Sequence, residues 1–322
     1  MSVPSGFAVR RPRVRDAAAV AELIQAAEVA EDGEADTAES DVAADWVLVD
    51  PEQDAWLVEG PDGQPAGYGF VRRFRPARLG SDCYVHPDFT ALGIGRALVR
   101  LTEERARELA GSDEEGVRVL LYNGVLEHNA AAVALLESEG YRPVRWFRRM
   151  AIELRDPPDE PQLPDGVSIR PVDIDREERR FYEATQESAR GHWDAIPEDF
   201  ESWRRKHVEP VGTDPSLWFV AVADGELAGV VDCTWKTMGK GYVRFLGVRP
   251  AWRGRGIGLA LLLRAFREFY ERGEPTVFLH VDTENPTGAN TVYERAGMRP
   301  GWTAVIFEKE LRPGRPVVGA AE

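Results

Sequence analysis

The sequence predicts an α+β protein in which one arrangement of helices around a mixed sheet is given twice. Three observations carry this. The segment DPPDEPQLPDG (residues 156–166) has four prolines, four acidic residues and Leu163 as its one apolar side chain. That is linker chemistry, and it divides 322 residues almost in half. Three stretches recur in the same order: GFAVRRP (6–12) with GVSIRP (166–171), VHPDFTALGIGRAL (85–98) with VRPAWRGRGIGLAL (248–261), and HNAAAVALLESEGYRP (128–143) with ENPTGANTVYERAGMRP (284–300). Ordered echoes over half a chain indicate duplication of a domain, not a short-period solenoid. Finally, 43% hydrophobic residues suffice for two buried cores.

Each half opens on a short strand and continues with helical sequence, over 16–30 and 38–47 in the first and 175–189 and 197–207 in the second. Hairpin strands follow in DAWLVEGPDGQPAGYGFVRR (54–73) and LWFVAVADGELAGVVDCTW (217–235), with PDG and ADG as the turns. In the second half YVRFLGV (242–248) is a strand that runs into a glycine-arginine segment. A helix with Leu261, Leu262, Ala265 and Phe269 on one face comes next. It is followed by a buried strand TVFLHV (276–281), a short helix 289–296 stopped by Gly297, and a closing strand around 302–307. The expected domains are 1–155 and 167–311, joined by 156–166, and the tail RPGRPVVGAAE (312–322) reads as poorly ordered.

Charge and composition narrow the function. With 55 acidic against 40 basic residues the net charge is −15, which speaks against nucleic acid as the main ligand and suits an amine substrate. The N-terminus has no apolar h-region and no apolar run approaches a membrane span, so a cytoplasmic chain without a membrane partner is expected. Cys83 and Cys233 lie in apolar strand contexts and read as reduced core thiols. The five histidines are not at metal spacing, so no metal is expected.

Against that acidic background, VRPAWRGRGIGLALL (248–262) places arginines and glycines immediately before an apolar helix. Backbone N–H groups at a helix start have no intrahelical partner and face outward with the positive end of the helix dipole. Gly254, Gly256 and Gly258 allow close approach of an anion, and Arg253 and Arg255 add charge-assisted hydrogen bonds to phosphate oxygens. A P-loop would need Lys-Ser/Thr where Leu259 and Ala260 stand, and GRGIG does not match a dinucleotide fingerprint.

The segment resembles the acetyl-CoA pyrophosphate loop of the GNAT acetyltransferase superfamily, and NPTGANTVYERAGM (285–298) resembles that family's asparagine followed by a Tyr-Glu-x-x-Gly helix. The chain is similar to tandem GNAT enzymes of the type that includes mycothiol synthase. The resemblance implies two GNAT folds with mostly antiparallel sheets, acetyl-CoA as co-substrate, and acetyl transfer to a primary amine of a small molecule. It implies Arg253, Gly254, Arg255, Gly256, Ile257, Gly258 and Leu259 around the pyrophosphate, Leu246, Gly247 and Val248 beside the pantetheine arm, and Asn285 at the cofactor where the sheet splays.

Thioester aminolysis needs a neutral amine, an oxyanion donor and an acid for the thiolate. Tyr293 matches the family tyrosine near the sulfur. Tyr242 stands where mycothiol synthase and several relatives carry a glutamate, which speaks against a direct carboxylate base there and against that enzyme's acceptor. His280, Asp282 and Asp232 are the nearby candidates for a base, with bulk solvent as another. His192, Trp193 and Asp194 fall where the family builds the acceptor wall, and with Tyr242 they are the expected substrate contacts. In the first half Thr90, Ala91 and Leu92 replace Arg253, Gly254 and Arg255, and Leu136 replaces Tyr293. That half is expected to be catalytically silent; Val85, Thr90, Gly93, Ile94, Gly95 and Asn129 would form a second, weaker CoA-ester site if it binds at all. A CoA-ester sensor without turnover and a mycothiol synthase-type enzyme are the other readings. A monomer and a homodimer are both open.

Overall fold

The computed structural model describes residues 3–193, 195, 197–210, 213–237, 239–285 and 288–317. The first half of the chain runs β1 (Ala8–Arg10), α1 (Ala17–Asp32), α2 (Glu39–Leu48), α3 (Pro51–Asp54), β2 (Ala55–Glu59), β3 (Pro65–Arg75), β4 (Arg78–Val85), α4 (Ile94–Ala110), β5 (Val119–Leu126), α5 (Ala130–Ser138) and β6 (Arg142–Glu153). The second half repeats the order without a counterpart of α3: β7 (Val167–Pro171), α6 (Ile174–Ser188), α7 (Phe200–His207), β8 (Phe219–Ala223), β9 (Glu226–Thr237), β10 (Lys240–Val248), α8 (Ile257–Glu271), β11 (Thr276–Asp282), α9 (Ala289–Arg295) and β12 (Arg299–Arg312). The first echo has a structural purpose. Arg170, at the end of β7, grips Glu177 of α6 through both guanidinium nitrogens at 2.7 Å, and Arg10 bonds Asp16 and Glu59.

The chain forms two compact units, but not by a cut at the linker. One comprises residues 3–146 with Thr303–Val317, the other Phe147–Trp302. The first unit's sheet runs β1-β2-β3-β4-β5-β12 and the second's runs β7-β8-β9-β10-β11-β6. Each half's last strand therefore completes the other half's sheet: Ala304–Arg312 pairs antiparallel with β5, and Phe147–Glu153 pairs antiparallel with β11. Two strands of similar pattern can satisfy either edge, and the sequence pattern does not say which pairing forms. Residues 312–317 also differ from the expected loose tail, while the expectation for 318–322 lies outside the described residues. Arg315 exchanges backbone hydrogen bonds with Gly116 and Arg118, and Arg312 donates to the carbonyls of Ala110, Asp113 and Glu114. Gly314 lies so close to Gly116 that no Cβ would fit, which is why a glycine is needed at that point.

Apolar periodicity explains the cores. Leu261, Leu262, Ala265 and Phe269 of α8 are buried in one core with Val231, Val277 and Leu279, while Phe181, Trp203 and Trp218 fill the opposite face of the second sheet. In the first unit Ile94 and Leu98 of α4 cover one face, and Val20, Leu23 and Ile24 of α1 pack on Tyr68 and Phe70 on the other.

Both sheets are antiparallel except for one parallel pair, and both part at that pair. β4 meets β5 only at Arg78, Leu79 and Gly80, and β10 meets β11 only at Gly241 and Tyr242. Beyond those residues the strands diverge and leave a cleft with unpaired ladder edges, open at the end from which the loops to α4 and α8 depart. A bulge distinguishes the second unit. Val243 faces Cys233 and Phe245 faces Asp232, so Arg244 is an extra residue in β10, whereas β4 pairs without interruption from Leu79 to Val85.

Candidate active site

The loop from β10 to α8 has the conformation its glycines suggest. Gly254 (φ 75°) and Gly256 (φ 83°) are left-handed, and Gly256 caps α8 by accepting Ala260 N–H at 3.1 Å. The amides of Ile257, Gly258 and Leu259 thus form the free first turn of a helix at the mouth of the cleft. Ile257 is 1% exposed, so it can serve a cofactor only through its backbone. Arg253 does not extend into solvent. Its Nε donates to the Val248 carbonyl at 3.0 Å and a terminal nitrogen donates to the Ser188 carbonyl at 3.1 Å, tying the loop to the end of β10 and the C-terminus of α6. Arg255 donates to the Ala251 carbonyl and stacks over Trp252 with 5.0 Å from guanidinium carbon to ring centre.

Along β10, Gly247 has to be glycine. A Cβ there would lie 2.6 Å from Ser188 Cβ and 2.5 Å from the Phe245 ring, so α6 packs directly on the strand beside the cleft. Asn285 sits in the turn after β11, its N–H donating to the Asp282 carbonyl. Tyr293, on α9, is 8% exposed. Burial, with Tyr242 nearby, pushes its phenol up to about 12, so it stays protonated and able to donate at neutral pH.

The proposed bases are placed differently. Asp232 is buried and both of its oxygens accept from Arg244, at 2.7 and 2.8 Å; burial still pushes the carboxyl up to about 6, against the pull of Arg244. The bulge puts Arg244 there, and this carboxylate is committed to it. His280 lies among rings, 5.1 Å from Trp302, 5.6 Å from Phe278 and 5.8 Å from Tyr242. Tyr242 stacks on Phe278 at 4.8 Å. Asp282, at the end of β11, accepts the Glu284 N–H at 3.0 Å. His192 belongs with it: burial and the Arg253 charge lower the imidazole pKa while Asp282 raises it, which puts His192 in electrostatic reach of both. Trp193 packs edge-on against Phe147 at 6.1 Å. Asp194 lies outside the described residues.

The site thus brings together residues that sequence reasoning named and several it missed. Arg149, Phe147, Trp302 and Ser188 were invisible because their place depends on the strand exchange and on helix packing. Arg244 could have been found as a cation two residues beyond Tyr242 on the same strand. No described His, Cys, Asp and Glu residues form a group that could hold a metal. Both cysteines are free thiols, and no described helix is long and apolar enough to cross a membrane.

The first unit's cleft is built from other residues. Its loop keeps the backbone, with Ala91 (φ 60°) and Gly93 (φ 86°) both left-handed, but the Thr90 hydroxyl turns back to the Pro87 carbonyl and Leu92 is exposed. Ile94 is buried, and Gly95 packs near Val85 and Leu135. Asn129 caps α5 by accepting the Ala132 N–H and donates to the Glu31 carboxylate at 2.8 Å, while His128 Nε2 lies 3.1 Å from the Glu31 carbonyl.

Residues 18–141 and 177–298 each match the Acetyltransferase (GNAT) family. This chain belongs to the GNAT acetyltransferases. It carries the family domain twice and is an acetyltransferase of a family that uses acetyl-CoA. It is 32% identical over 257 residues to a mycothiol acetyltransferase of Thermomonospora curvata, spanning 78% of this chain and 81% of that one. A mycothiol acetyltransferase of Streptomyces coelicolor is 30% identical over 261 residues, 77% of each chain. Among solved structures, a GCN5-related N-acetyltransferase from Sphaerobacter thermophilus superposes with a TM-score of 0.89 at 37% identity, covering 98% of this chain and 99% of that one. A tandem GNAT protein of the clavulanic acid pathway shares the fold, with a TM-score of 0.70 at 20% identity over 96% of this chain and 100% of that one.

Proposed function

We propose that the second unit moves the acetyl group of acetyl-CoA to a primary amine of a small molecule, and that the first unit does no chemistry. The observation that carries this reading is the conjunction, in one unit only, of a splayed cleft, an arginine-bearing left-handed loop and a buried, protonated tyrosine. Acetyl-CoA lies with its pyrophosphate on the amides of residues 257–259 and its pantetheine arm along Leu246, Gly247 and Val248. The amine attacks the thioester carbonyl, the C–S bond breaks, and Tyr293 donates its proton to the departing thiolate. A backbone N–H near Val248 serves the oxyanion. The amine's proton leaves at the rim, where His192, neutral at pH 7, and Asp282 sit together; Asp232 is excluded from that role by Arg244.

The relatives named for mycothiol support acetyl transfer, while Tyr242 and its ring neighbours favour an acceptor of different shape. The test is release of CoA thiol across a panel of amines by wild type and Tyr293→Phe. Turnover of some amine, reduced about a hundredfold or more in the variant, supports the assignment. Turnover that persists in the variant removes Tyr293 as the acid.

A further inference from the structure

The first unit's cleft holds a carboxylate without a partner. β4 leaves β5 after Gly80, and from Asn123 onward β5 pairs with β12. On the α4 side the gap between β4 and β5 is closed by Asn123 Nδ2, which donates to Ser81 Oγ at 3.1 Å. Alternation turns Asp82 and Tyr84 to the opposite side, with Phe70 and Tyr68 directly across from them on β3. Asp82 and Tyr84 are both partly exposed, and neither the carboxylate oxygens nor the phenol oxygen is shut off from solvent. The gap is thus a recess with a floor on one face of the sheet and an entrance on the other.

Asp82 has neither a hydrogen bond nor an ion pair among the described residues. The cation that acts on it, Arg72, lies over the Phe70 ring at 5.7 Å and pairs with Asp45 at 3.5 Å. Desolvation raises the Asp82 carboxyl above its ordinary value, against the pull of Arg72 and with the push of Asp45. A group that touches solvent and is still governed by desolvation lies at the bottom of a recess, not on an open surface. Asp232 of the second unit shows the alternative, because Arg244 grips both of its oxygens. Negative charge prevails around Asp82. Burial, and then the charges of Asp82, Glu28 and Asp45, hold the Tyr84 phenol well above its ordinary value, so its hydroxyl stays neutral. One carboxylate, a hydroxyl oxygen and rings are not the oxygen set of a divalent cation. They match an ammonium, whose N–H groups bond the oxygens while its charge and alkyl body lie against an aromatic ring.

We propose that the first unit binds a small primary ammonium ion in this recess, on the Asp82 carboxylate and the hydroxyl and ring of Tyr84. A half that does no chemistry in the reading above then has a ligand of its own. The inference goes beyond the acetyl-transfer reading and does not rest on it, since it involves neither acetyl-CoA nor the second unit.

The experiment titrates n-butylammonium chloride and 1-butanol into the full chain by calorimetry at about pH 8, where an alkylamine is protonated. Wild type, Asp82→Asn, Tyr84→Phe and, as a control for the second unit, Asp282→Asn are compared, with melting temperatures for each. In wild type the ammonium should bind about tenfold or more tightly than the alcohol. Asp82→Asn should remove that preference, Tyr84→Phe should reduce it about threefold, and Asp282→Asn should leave it. Without ligand, Asp82→Asn should melt no lower than wild type, because it removes an uncompensated carboxylate. No preference in wild type overturns the inference, and so does a preference that survives Asp82→Asn or disappears in Asp282→Asn. If Asp82→Asn melts lower or does not fold, Tyr84→Phe decides. A weakened ammonium with an unchanged alcohol then sustains the inference, and an unchanged ammonium overturns it.

Discussion

The two clefts have the same frame and opposite contents. Both open where a parallel pair ends, and both are followed by a loop with two left-handed residues and a long helix. In the second, Gly247 lets α6 approach the strand and Arg253 braces the loop; in the first, Tyr84 takes the glycine's place and Glu31 bonds the turn that precedes α5. An acid and a ring are also exchanged across one strand pair: Phe70 faces Asp82 in the first unit, and Asp232 faces Phe245 in the second. The two units thus share one frame, apart from the bulge in β10, and differ in the side chains that line their clefts.

The largest contrast concerns Tyr293. Tyr293→Phe should lower kcat about a hundredfold or more and leave the KM for acetyl-CoA within about twofold, whereas Leu136→Phe at the matching place should change neither in steady-state assays. Stability should separate the ion pairs next. Arg244→Met strands a buried carboxylate and should cost about 3–5 kcal/mol in denaturant unfolding. Arg72→Met breaks a half-exposed pair with Asp45 at 3.5 Å and should cost less than about 1 kcal/mol. If the two losses are alike, the distinction between the units is wrong. A smaller effect is expected at the loop. Ala91 already occupies the conformation that Gly254 holds, so Gly254→Ala should cost about 1 kcal/mol and leave acetyl-CoA binding intact. A further effect is one of pH. His207, stacked on Trp203, is pushed down to about 4 by burial and by the Arg244 and Lys206 charges. A histidine whose folded pKa is depressed stabilises above its unfolded value, near 6.5, and that contribution is lost as pH falls toward 4. Relative to His207→Phe, wild type should therefore lose at most about 3 kcal/mol between pH 6.5 and 4, measured by unfolding at each pH.

Much of this was legible in the sequence. The repeat, the order of elements and the glycine loop followed from periodicity and punctuation, because those are local properties of the chain. Tyr293 and His192 could be named from their motifs. The strand exchange could not be read, because β6 and β12 carry similar patterns and only the three-dimensional pairing decides between them; Arg149 and Trp302 were hidden for the same reason. Asp232 looked available because nothing in the letters WKTMGKGYVRF reveals the bulge that turns Arg244 onto it.

The most direct measurement is the stoichiometry of acetyl-CoA binding by titration calorimetry in wild type and in two matched loop variants, Gly256→Asp/Gly258→Asp and Gly93→Asp/Gly95→Asp. An aspartate pair puts negative charge and bulk where the phosphate would lie. One site per chain, lost in the first variant and unchanged in the second, is the predicted result. Two sites per chain, or loss of binding in the second variant alone, would contradict the assignment of the cofactor to the second unit.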